Sequence, residues 1–371
     1  MRIAMVHSSF AVRGGAEQYL RDLTRSLVAR GHQVRIFSRD GGDERIRPRA
    51  AARLGDRLPG PARKALVHLG DLLDPTGMRP GDLRDFDPDV VHLHNWQELG
   101  ALPVARIARA YPTCHTVHDH AICDPNNALG NLGRSRLLDA ALAVRSAWIL
   151  RRFRRMLLLF AAERTRDAVR RSAPAARQPA SRIVALAVPT PWHRLAWPPG
   201  RRDVFLFLGA LSPHKGLDLL LDAWRETTPA TLLVAGDGPL RARVQQAAAE
   251  SPSVRYLGYL DEEGKRAAFA EAGWLVFPSR VAETFGLVCA EALMAGRPIL
   301  ASASTRPPMA ADTSTIIYSD PAELPALLRR AAQLPADEYD RMAASAAADG
   351  RKLDWDDHVS AVLDAYETAA R

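Results

Sequence analysis

The chain runs twice through the same alternation of short apolar segments and segments with helical spacing. Residues 2–7 are short and apolar, as in a buried parallel strand, and a Gly14-Gly15 pair and a helix-periodic stretch follow them. A proline-rich stretch over residues 172–200 interrupts the pattern, which begins again with the apolar residues 204–208. Because strands that alternate with helices form parallel sheets, the sequence predicts an α/β fold with two doubly wound domains.

The length of the chain supports two domains. Its 371 residues exceed the roughly 250–300 residues at which a single hydrophobic core usually stops growing. We therefore expect a first domain over residues 1–187, a linker over 188–200, a second domain over 201–353 and a final helical segment over 354–371.

The spacing of apolar residues also predicts the individual elements. The predicted strands are residues 2–7, 34–37, 90–94, 113–117, 156–160, 204–208, 231–235, 254–257, 274–277 and 298–301. The predicted helices are residues 16–30, 137–153, 163–171, 216–224, 239–250, 285–295 and 358–370. Residues 45–83, rich in arginine and proline, show no clear period and have no assignment.

Cysteine usage and hydropathy indicate the compartment. The three cysteines, Cys114, Cys123 and Cys289, form no Cys-x-x-Cys pair, and their odd number predicts no disulfide framework. The sequence shows no signal peptide and no run of about 18 apolar residues that would span a bilayer. We expect a cytoplasmic protein, either soluble or peripheral on the inner face of the cell membrane.

The positive charge of the chain is concentrated in one segment. Residues 131–182 hold thirteen arginines, no lysine and three acidic residues, a net charge of +10 in a chain whose total is +8. The predicted helix over 137–153 interleaves arginines with apolar side chains, so the Arg-rich segment 134–171 is expected to bind an anionic membrane surface. The alternative is a solvated arginine face on a packed helix. No nucleic-acid recognition module is present, so nucleic acid is not an expected partner.

The stretch from Ser279 to Ala295 carries the most specific pattern. Glu283 lies in a loop after a predicted strand, and Glu291 lies eight positions on in the following helix, so the two carboxylates fall near one face. The N–H groups at residues 285–287 open that helix and suit a phosphate. The alternative is a pair of surface acids on an amphipathic helix.

This stretch resembles the Glu-x7-Glu signature of retaining GT-B glycosyltransferases of family four, the glycosyl transferases group 1. Pro278-Ser279, Phe285-Gly286 and Gly296-Arg-Pro298 also match that signature. The resemblance implies a GT-B fold, in which two Rossmann-like domains face a cleft. It also implies an acceptor-side first domain, a second domain that binds the nucleotide sugar, and a last helix that crosses back to the first domain.

The same resemblance implies roles for residues of the second domain. Glu283 is expected to contact the sugar and Glu291 the ribose, and Lys215 is the expected cation for the diphosphate. Without the resemblance, Lys215 is an exposed lysine at the start of a helix. The other expected donor-binding residues are Phe285, Gly286 and Leu287. Ala210 departs from the family, which usually has an arginine there.

The resemblance also implies roles in the first domain. Gly14 and Gly15 match the glycine loop that exposes N–H groups to the donor phosphate or the acceptor, although a Gly-Gly pair alone is usually just a turn. His118 is expected to contact the transferred sugar, which makes His118, Lys215 and Glu283 the expected catalytic residues. Glu17 and Asp119 are the acceptor-side candidates.

Histidines raise the alternative of a zinc site. His92, His94, His115, His118 and His120 are close in sequence, but alternate strand positions point to opposite faces and no further ligand completes a known set. Asp87-Pro-Asp89 precedes a predicted strand and is interpreted as structural. We expect no metal ion and no cofactor, with the nucleotide diphosphate sugar as the donor substrate.

The resemblance therefore implies a retaining, metal-independent glycosyltransferase of polysaccharide or glycoconjugate biosynthesis. The acceptor hydroxyl belongs to a glycan, a lipid-linked sugar or a small metabolite. The alternative is a catalytically impaired family member that binds a glycan or a partner, since Ala210 and residues 302–308 depart from the family pattern. A related sugar-nucleotide epimerase is disfavoured by Lys215-Gly216 and the Glu-x7-Glu string.

Overall fold

The computed structural model describes residues 1–10, 15–55, 57–126, 135–189, 192–225 and 230–371. These residues form two compact units. The first unit combines residues 1–185 with residues 356–371, and the second consists of residues 186–355. One unit is therefore assembled from two separate parts of the sequence.

The first part of the chain alternates strands and helices. Its elements are β1 (Arg2–Val6), α1 (Gly15–Ala29), β2 (Gln33–Ser38), β3 (Glu44–Arg45), α2 (Ala50–Gly55), α3 (Gly60–Leu73), β4 (Val90–Leu93), α4 (Ala101–Ala110), β5 (Thr113–Val117), α5 (Arg136–Phe153), β6 (Leu157–Phe160), α6 (Glu163–Ser172) and β7 (Ser181–Ile183). Strands β4, β5 and β6 are buried at every position, as expected for parallel strands covered by helices on both faces. Helix α5 begins at a Ser135 cap, whose side chain accepts the N–H of Leu138.

The second unit repeats this arrangement. Its elements are β8 (Arg201–Leu208), α7 (Leu217–Trp224), β9 (Thr231–Ala235), α8 (Arg241–Glu250), β10 (Val254–Gly258), α9 (Glu262–Glu271), β11 (Ala272–Phe277), α10 (Leu287–Met294), β12 (Ile299–Ser302), β13 (Thr315–Tyr318), α11 (Leu324–Ala332) and α12 (Ala336–Gly350). The last helix of the sequence, α13 (Trp355–Ala370), follows them.

Both sheets are parallel throughout and have the same topology. The strand order is β3-β2-β1-β4-β5-β6-β7 in the first unit and β10-β9-β8-β11-β12-β13 in the second. Each order reverses direction beside the first strand of its unit, so a topological switch point lies between β1 and β4 and another between β8 and β11. The predicted α/β class with two doubly wound Rossmann-like sheets is confirmed. In such sheets ligands bind outside the carboxyl ends of the strands at the switch point.

Helix α13 packs on the first unit. Val359, Val362 and Tyr366 are fully buried there. The imidazole of His358 lies 2.8 Å from the carbonyl oxygen of Ala185, measured from Nδ1. The first unit thus obtains part of its core from residues that follow the second unit in the sequence.

All of the predicted strands and helices are present, but some bounds differ and the structure holds additional elements. The predicted helix over residues 285–295 is shorter, because Gly286 has a φ of +84° and the helix begins only at Leu287. The unassigned residues 45–83 hold two helices, α2 and α3. Strands β3, β7 and β13 and helices α4, α9, α11 and α12 were not predicted, since their burial depends on neighbours distant in sequence.

The Asp87-Pro-Asp89 segment has the structural role that the sequence suggested. The backbone N–H of Arg2 donates to Asp89 Oδ2 at 2.7 Å, and the Arg2 guanidinium donates to Asp87 Oδ2 at 3.0 Å. These contacts tie the start of β1 to the residues before β4. Both lie at the amino edge of the sheet, opposite the edge where ligands are expected.

Candidate functional site

Lys215 and Glu283 form an ion pair at the switch point of the second unit. Lys215 lies in the loop after β8, and Glu283 in the loop after the neighbouring strand β11. Lys215 Nζ is 2.5 Å from Glu283 Oε1. Their side chains are 27% and 18% exposed, so solvent and a ligand still reach the pair. The structure therefore brings together the expected phosphate cation and the expected sugar contact.

Serine hydroxyls hold the two loops in place. Ser279 Oγ lies 3.1 Å from both Glu283 Oε1 and the carbonyl oxygen of His214. Ser302, the last residue of β12, and Ser304 donate to the carbonyl oxygen of Ser279 at 2.6 Å and 2.9 Å. Residues 302–308, which depart from the family pattern in sequence, thus take part in fixing the Glu283 loop. No pattern in the sequence indicated this serine network.

Two glycines allow the loops to approach closely. A Cβ on Gly216, whose φ is +71°, would lie 2.0 Å from the carbonyl oxygen of Pro278. A Cβ on Gly236, whose φ is +134°, would lie 1.9 Å from the carbonyl oxygen of Gly209. The loops after β8, β9 and β11 therefore pack backbone against backbone at one edge of the sheet. Only glycine permits this contact at residue 216, next to Lys215.

Replacing Gly216 with alanine should destabilise the second unit by about 2–5 kcal/mol. The alanine would pay the strain of the left-handed region, and its Cβ would force the Pro278 loop away. Gly258→Ala is the matched control, since Gly258 lies in the same unit at a φ of +69° with no atom within 4 Å of the added Cβ. Urea unfolding of both variants measures the difference. Equal losses of stability would show that close packing at Gly216 does not matter.

Helix α10 presents unpaired backbone donors beside this ion pair. The N–H groups of Phe285, Gly286 and Leu287 have no hydrogen-bond acceptor in the part of the chain that the structure describes. Phe285 itself is buried, which anchors the segment in the core of the unit. The donors of Phe285 and Gly286 lie before the first turn of α10, and that of Leu287 belongs to its first residue. Free N–H groups at a helix start favour an anion.

Glu291 lies on α10 and is paired with a lysine that the sequence did not indicate. Lys265 Nζ, on α9, donates to Glu291 Oε1 at 2.6 Å, and Glu291 is only 7% exposed. Burial raises the pKa of Glu291, and the Lys265 ammonium acts in the opposite direction. Glu283 and Glu291 thus have different cations, Lys215 and Lys265. The predicted common helix face does not apply, since Glu283 precedes α10 and lies outside it.

In the first unit, candidate residues gather at the carboxyl edge around the switch point. Gly15 is the first residue of α1, and Gly14 lies outside the described residues. Glu17, in the first turn of α1, has Oε1 3.7 Å from Nε2 of His7, which directly follows β1. Asp119 Oδ1 accepts the N–H of Ala121 at 2.9 Å and so helps to shape the turn after β5.

His118 directly follows β5 and contacts a second histidine. His94, directly after the neighbouring strand β4, has Nδ1 3.2 Å from His118 Nε2, and the two rings are stacked with centroids 5.5 Å apart. Tyr19 packs against both rings from α1. Burial lowers the pKa of His118 to about 3, so its imidazole is neutral at pH 7. His94 is a functional candidate that the sequence showed only as part of a histidine-rich pattern.

The histidine cluster continues into the core of the first unit. His92 Nδ1 lies 2.7 Å from the Tyr366 hydroxyl, and His92 Nε2 lies 2.7 Å from Thr116 Oγ1. His358 Nε2 lies 3.0 Å from the Tyr19 hydroxyl. Within the described residues, no three side chains of the His, Cys, Asp or Glu type are grouped as a metal site. The imidazoles instead bond to hydroxyls, a carbonyl oxygen and one another.

Ala210, at the position where the family usually has an arginine, is exposed. Ala210 follows Gly209 in the loop after β8, and its side chain supplies no charge to the site. The guanidinium of Arg280 binds Asp218 at 2.7 Å, while the N–H of Arg280 donates to the carbonyl oxygen of His214. Lys215 is therefore the cation that pairs with Glu283 in this loop cluster.

Comparison with known proteins gives a consistent result over most of the chain. A model of the glycosyltransferase family 4 matches residues 13–183, and a model of the glycosyl transferases group 1 matches residues 202–336. Phosphatidyl-myo-inositol mannosyltransferase of Mycobacterium leprae (strain TN) is 29% identical over 381 residues, which cover 100% of this chain and 97% of that protein.

Solved structures share the fold. Sucrose-phosphate synthase from Thermosynechococcus elongatus matches with a TM-score of 0.74 at 18% identity, over 99% of this chain and 98% of that one. Anabaena Alr3699/HepE in complex with UDP-glucose matches with a TM-score of 0.65 at 15% identity, over 99% and 100% of the two chains. At these identities the likeness concerns the fold alone.

Proposed function

This chain belongs to the group 1 glycosyl transferases, glycosyltransferase family 4, and on that premise we propose a retaining, metal-independent transfer. The chain is a glycosyltransferase that uses a nucleotide sugar. The proposal adds that the donor is a nucleotide diphosphate sugar, that the acceptor is a hydroxyl group, and that the anomeric configuration is kept. The observation that carries it is the Lys215–Glu283 pair at the switch point between β8 and β11.

The ion pair has the chemistry for a diphosphate and a sugar together. The Lys215 ammonium has three donors, one of which binds Glu283, and the other two have no acceptor among the described residues. Two donors and the N–H groups at residues 285–287 suit the oxygens of a diphosphate. The Glu283 carboxylate is a natural acceptor for sugar hydroxyls. Glu291, held by Lys265, would accept the hydroxyls of the ribose.

The proposed reaction separates charge at the anomeric carbon. The bond from this carbon to the diphosphate oxygen breaks, and positive charge develops on the sugar while negative charge develops on the leaving group. Lys215 and the N–H groups stabilise the departing diphosphate. The acceptor oxygen bonds to the carbon from the same face, and its proton passes to the diphosphate. His118, neutral at pH 7, would donate a hydrogen bond to the transferred sugar.

Nucleotide binding tests the donor site without knowledge of the acceptor. A saturating nucleoside diphosphate, at 100 times its Kd, should stabilise the protein by about 2.7 kcal/mol, which raises the Tm of a 170-residue unit by roughly 5–10 °C. The expected shift occurs with one base and is absent with the matching nucleoside and in Lys215→Ala. No shift with any nucleoside diphosphate or its sugars would contradict the proposed site.

The relatives suggest which donors to try first. One structural neighbour was solved with UDP-glucose, and one relative is named a phosphatidyl-myo-inositol mannosyltransferase. UDP sugars and nucleotide diphosphate mannoses are therefore the first choices, with inositol-containing acceptors beside simple sugars. Proton NMR of the product measures the anomeric configuration, and an inverted product would contradict retention. Full turnover in excess chelator is expected for a metal-independent reaction.

A catalytically impaired transferase is the second candidate, because Ala210 leaves the loop after β8 without its usual arginine. Such a protein would bind the donor without turning it over. Donor stabilisation combined with neither transfer nor slow donor hydrolysis would support it. Ala210→Arg should then restore activity, whereas in an active enzyme the same change should alter kcat only modestly.

A peripheral membrane location completes the proposal. Within the described residues no helix is both long and apolar enough to cross a bilayer. The Arg-rich segment 134–171 supports attachment to an anionic surface, where each basic residue contributes about 1 kcal/mol. A lipid-linked acceptor would be reached there.

A further inference from the structure

Five arginines line one small cavity at the ends of helices α4 and α5. Its volume is about 130 Å³, roughly four times the share of one water in the liquid and sufficient for a single phosphate group. The lining residues are Ala105, Arg109, Arg151, Arg152, Arg154 and Arg155. We propose that this cavity binds the phosphate head group of an anionic phospholipid.

The cavity carries uncompensated positive charge. No carboxylate in the described part of the chain lies within 4.0 Å of any of these arginines. Four of them occupy the five positions from 151 to 155, where like charges three or four residues apart destabilise a helix end. A phosphate in the cavity would reverse this repulsion, and arginine is the side chain best suited to bind it through several N–H groups.

The dipoles of the two helices explain only part of the cluster. Arg109 lies in the last turn of α4, and Arg151 and Arg152 lie in the last turn of α5, where cations interact favourably with terminal carbonyls. Arg154 is the C-cap residue of α5, and Arg155 lies beyond the helix. The end of one helix therefore carries four cations, more than its dipole accounts for.

Arg152 shows the clearest need for an acceptor. Its guanidinium lies over the Trp148 ring, 4.8 Å from the centroid, so the indole restricts its orientation. Its Nε is buried and has no hydrogen-bond partner in the described part of the chain. A buried donor without a partner is costly, and a small shift of this side chain would let an oxygen of an anion in the cavity accept from it.

Exposed apolar side chains on the same helix favour a lipid as the source of the phosphate. Leu137 and Val144 are 84% and 72% exposed, and with Trp148 they follow one face of α5 at spacings of seven and four residues. That face ends at the arginine cavity. An exposed apolar stripe beside a basic cluster would give a lipid surface both apolar and ionic contacts.

The cavity lies away from the donor and acceptor candidates of its unit. Helices α4 and α5 end just before β5 and β6, so the cavity is at the amino edge of the sheet. His118 follows β5 at the carboxyl edge, about 16 Å away along a strand of five residues. Lipid binding there is therefore separable from sugar transfer, and the proposal does not depend on the transferase mechanism.

Vesicle binding of the full chain tests the proposal. The probe is phosphatidylcholine vesicles with and without phosphatidic acid, measured by co-sedimentation at low salt. Arg154→Gln with Arg155→Gln should weaken binding to the anionic vesicles about thirty-fold, the loss expected from two surface arginines. The matched control is Arg170→Gln with Arg171→Gln, an equally exposed pair at the end of α6 that does not line the cavity. The control should lose less than threefold, because the proposal places the arginines of the cavity, and not the end of α6, against the lipid head groups, and only basic residues close to the surface contribute.

Each result of these binding measurements supports or contradicts a defined lipid site. Equal losses in the two double variants would show diffuse attraction and overturn a defined site, as would no binding of the wild type. Inorganic phosphate and glycerol phosphate are titrated in parallel by calorimetry. Saturable binding of these alone, without vesicle binding, would overturn the lipid and leave a soluble phosphate ligand. Val144→Ser should weaken vesicle binding but not phosphate binding, since Val144 does not line the cavity.

Discussion

Replacing Lys215 with alanine is expected to lower kcat by roughly 100- to 1000-fold, the effect of removing one charged or hydrogen-bonding group that stabilises a leaving anion. The loss should appear mainly in kcat, because negative charge on the diphosphate grows as its bond to the sugar breaks. Glu283→Gln keeps the size of the side chain, but removes the charge that Lys215 Nζ faces at 2.5 Å. It should reduce activity to a similar extent.

Lys352→Ala is the matched control for Lys215→Ala. Lys352 lies in the same unit and also forms an ion pair, donating to Asp349 Oδ1 at 2.8 Å, but it is 72% exposed and precedes the final helix. Its loss should leave activity within about twofold. Steady-state rates with a soluble acceptor measure all three variants. Near-wild-type turnover in Lys215→Ala would contradict the assignment of the donor site.

Mild acid is expected to unfold the first unit before the second. Four of its histidines, His92, His94, His115 and His358, are at most 4% exposed. Burial lowers their pKa, to about 4 for His115 and His358 and well below the usual value for His92 and His94. They therefore remain neutral in the folded unit at a pH where they are charged in the unfolded chain.

The direction in which stability changes with pH follows from proton binding. Since the pKa of these histidines is lower in the folded state than in the unfolded state, the unfolded chain binds more protons between about pH 6.5 and pH 4. Stability is complete above about pH 6.5 and decreases as the pH falls. Each of the four histidines lowers the free energy of unfolding by about 1.4 kcal/mol per pH unit in this range. Together they lower it by about 5 kcal/mol per pH unit, which is comparable to the whole stability of a domain. We expect an unfolding midpoint near pH 5.

Hydrogen exchange followed by mass spectrometry measures this transition unit by unit. The amides of β4 and β5 should lose protection near pH 5 while those of β8 and β11 remain protected. His115→Asn keeps a donor near the Leu93 carbonyl oxygen, which lies 3.1 Å from Nδ1, and removes one titrating group. It should bind about one proton fewer on unfolding, and an unchanged pH slope would contradict the role of the histidines.

The sequence predicted the architecture because it depends on local periodicity. Residues 113–117 and 231–235 alternate with helical stretches, and both proved to be strands with those bounds. Lys215 and Glu283 were candidates for the donor site because each lies within a recognisable string. Such strings are short, and the parallel sheet then brings them together at adjacent strand ends.

Contacts between distant residues were not predictable in the same way. Lys265 meets Glu291 only because α9 and α10 pack in the same unit, and nothing in the sequence around Lys265 marks it. His94 and His118 were visible as a surplus of histidines, but their stacked contact depends on the register of β4 and β5. The arginine cavity likewise required Arg109, which lies more than forty residues before the other arginines.

The position of α13 has a consequence for how the chain matures in the cell. Residues 186–355, 170 residues in all, are synthesised between the two parts of the first unit. At roughly 5–20 residues per second, the ribosome needs on the order of 10–30 s to pass them. During that interval His92 has no Tyr366 hydroxyl beside it, and Cys114 lacks the Ala365 carbonyl oxygen that later accepts its thiol. The second unit can therefore complete its fold before the first. The first unit is synthesised earlier, but it is incomplete until the final helix has been made.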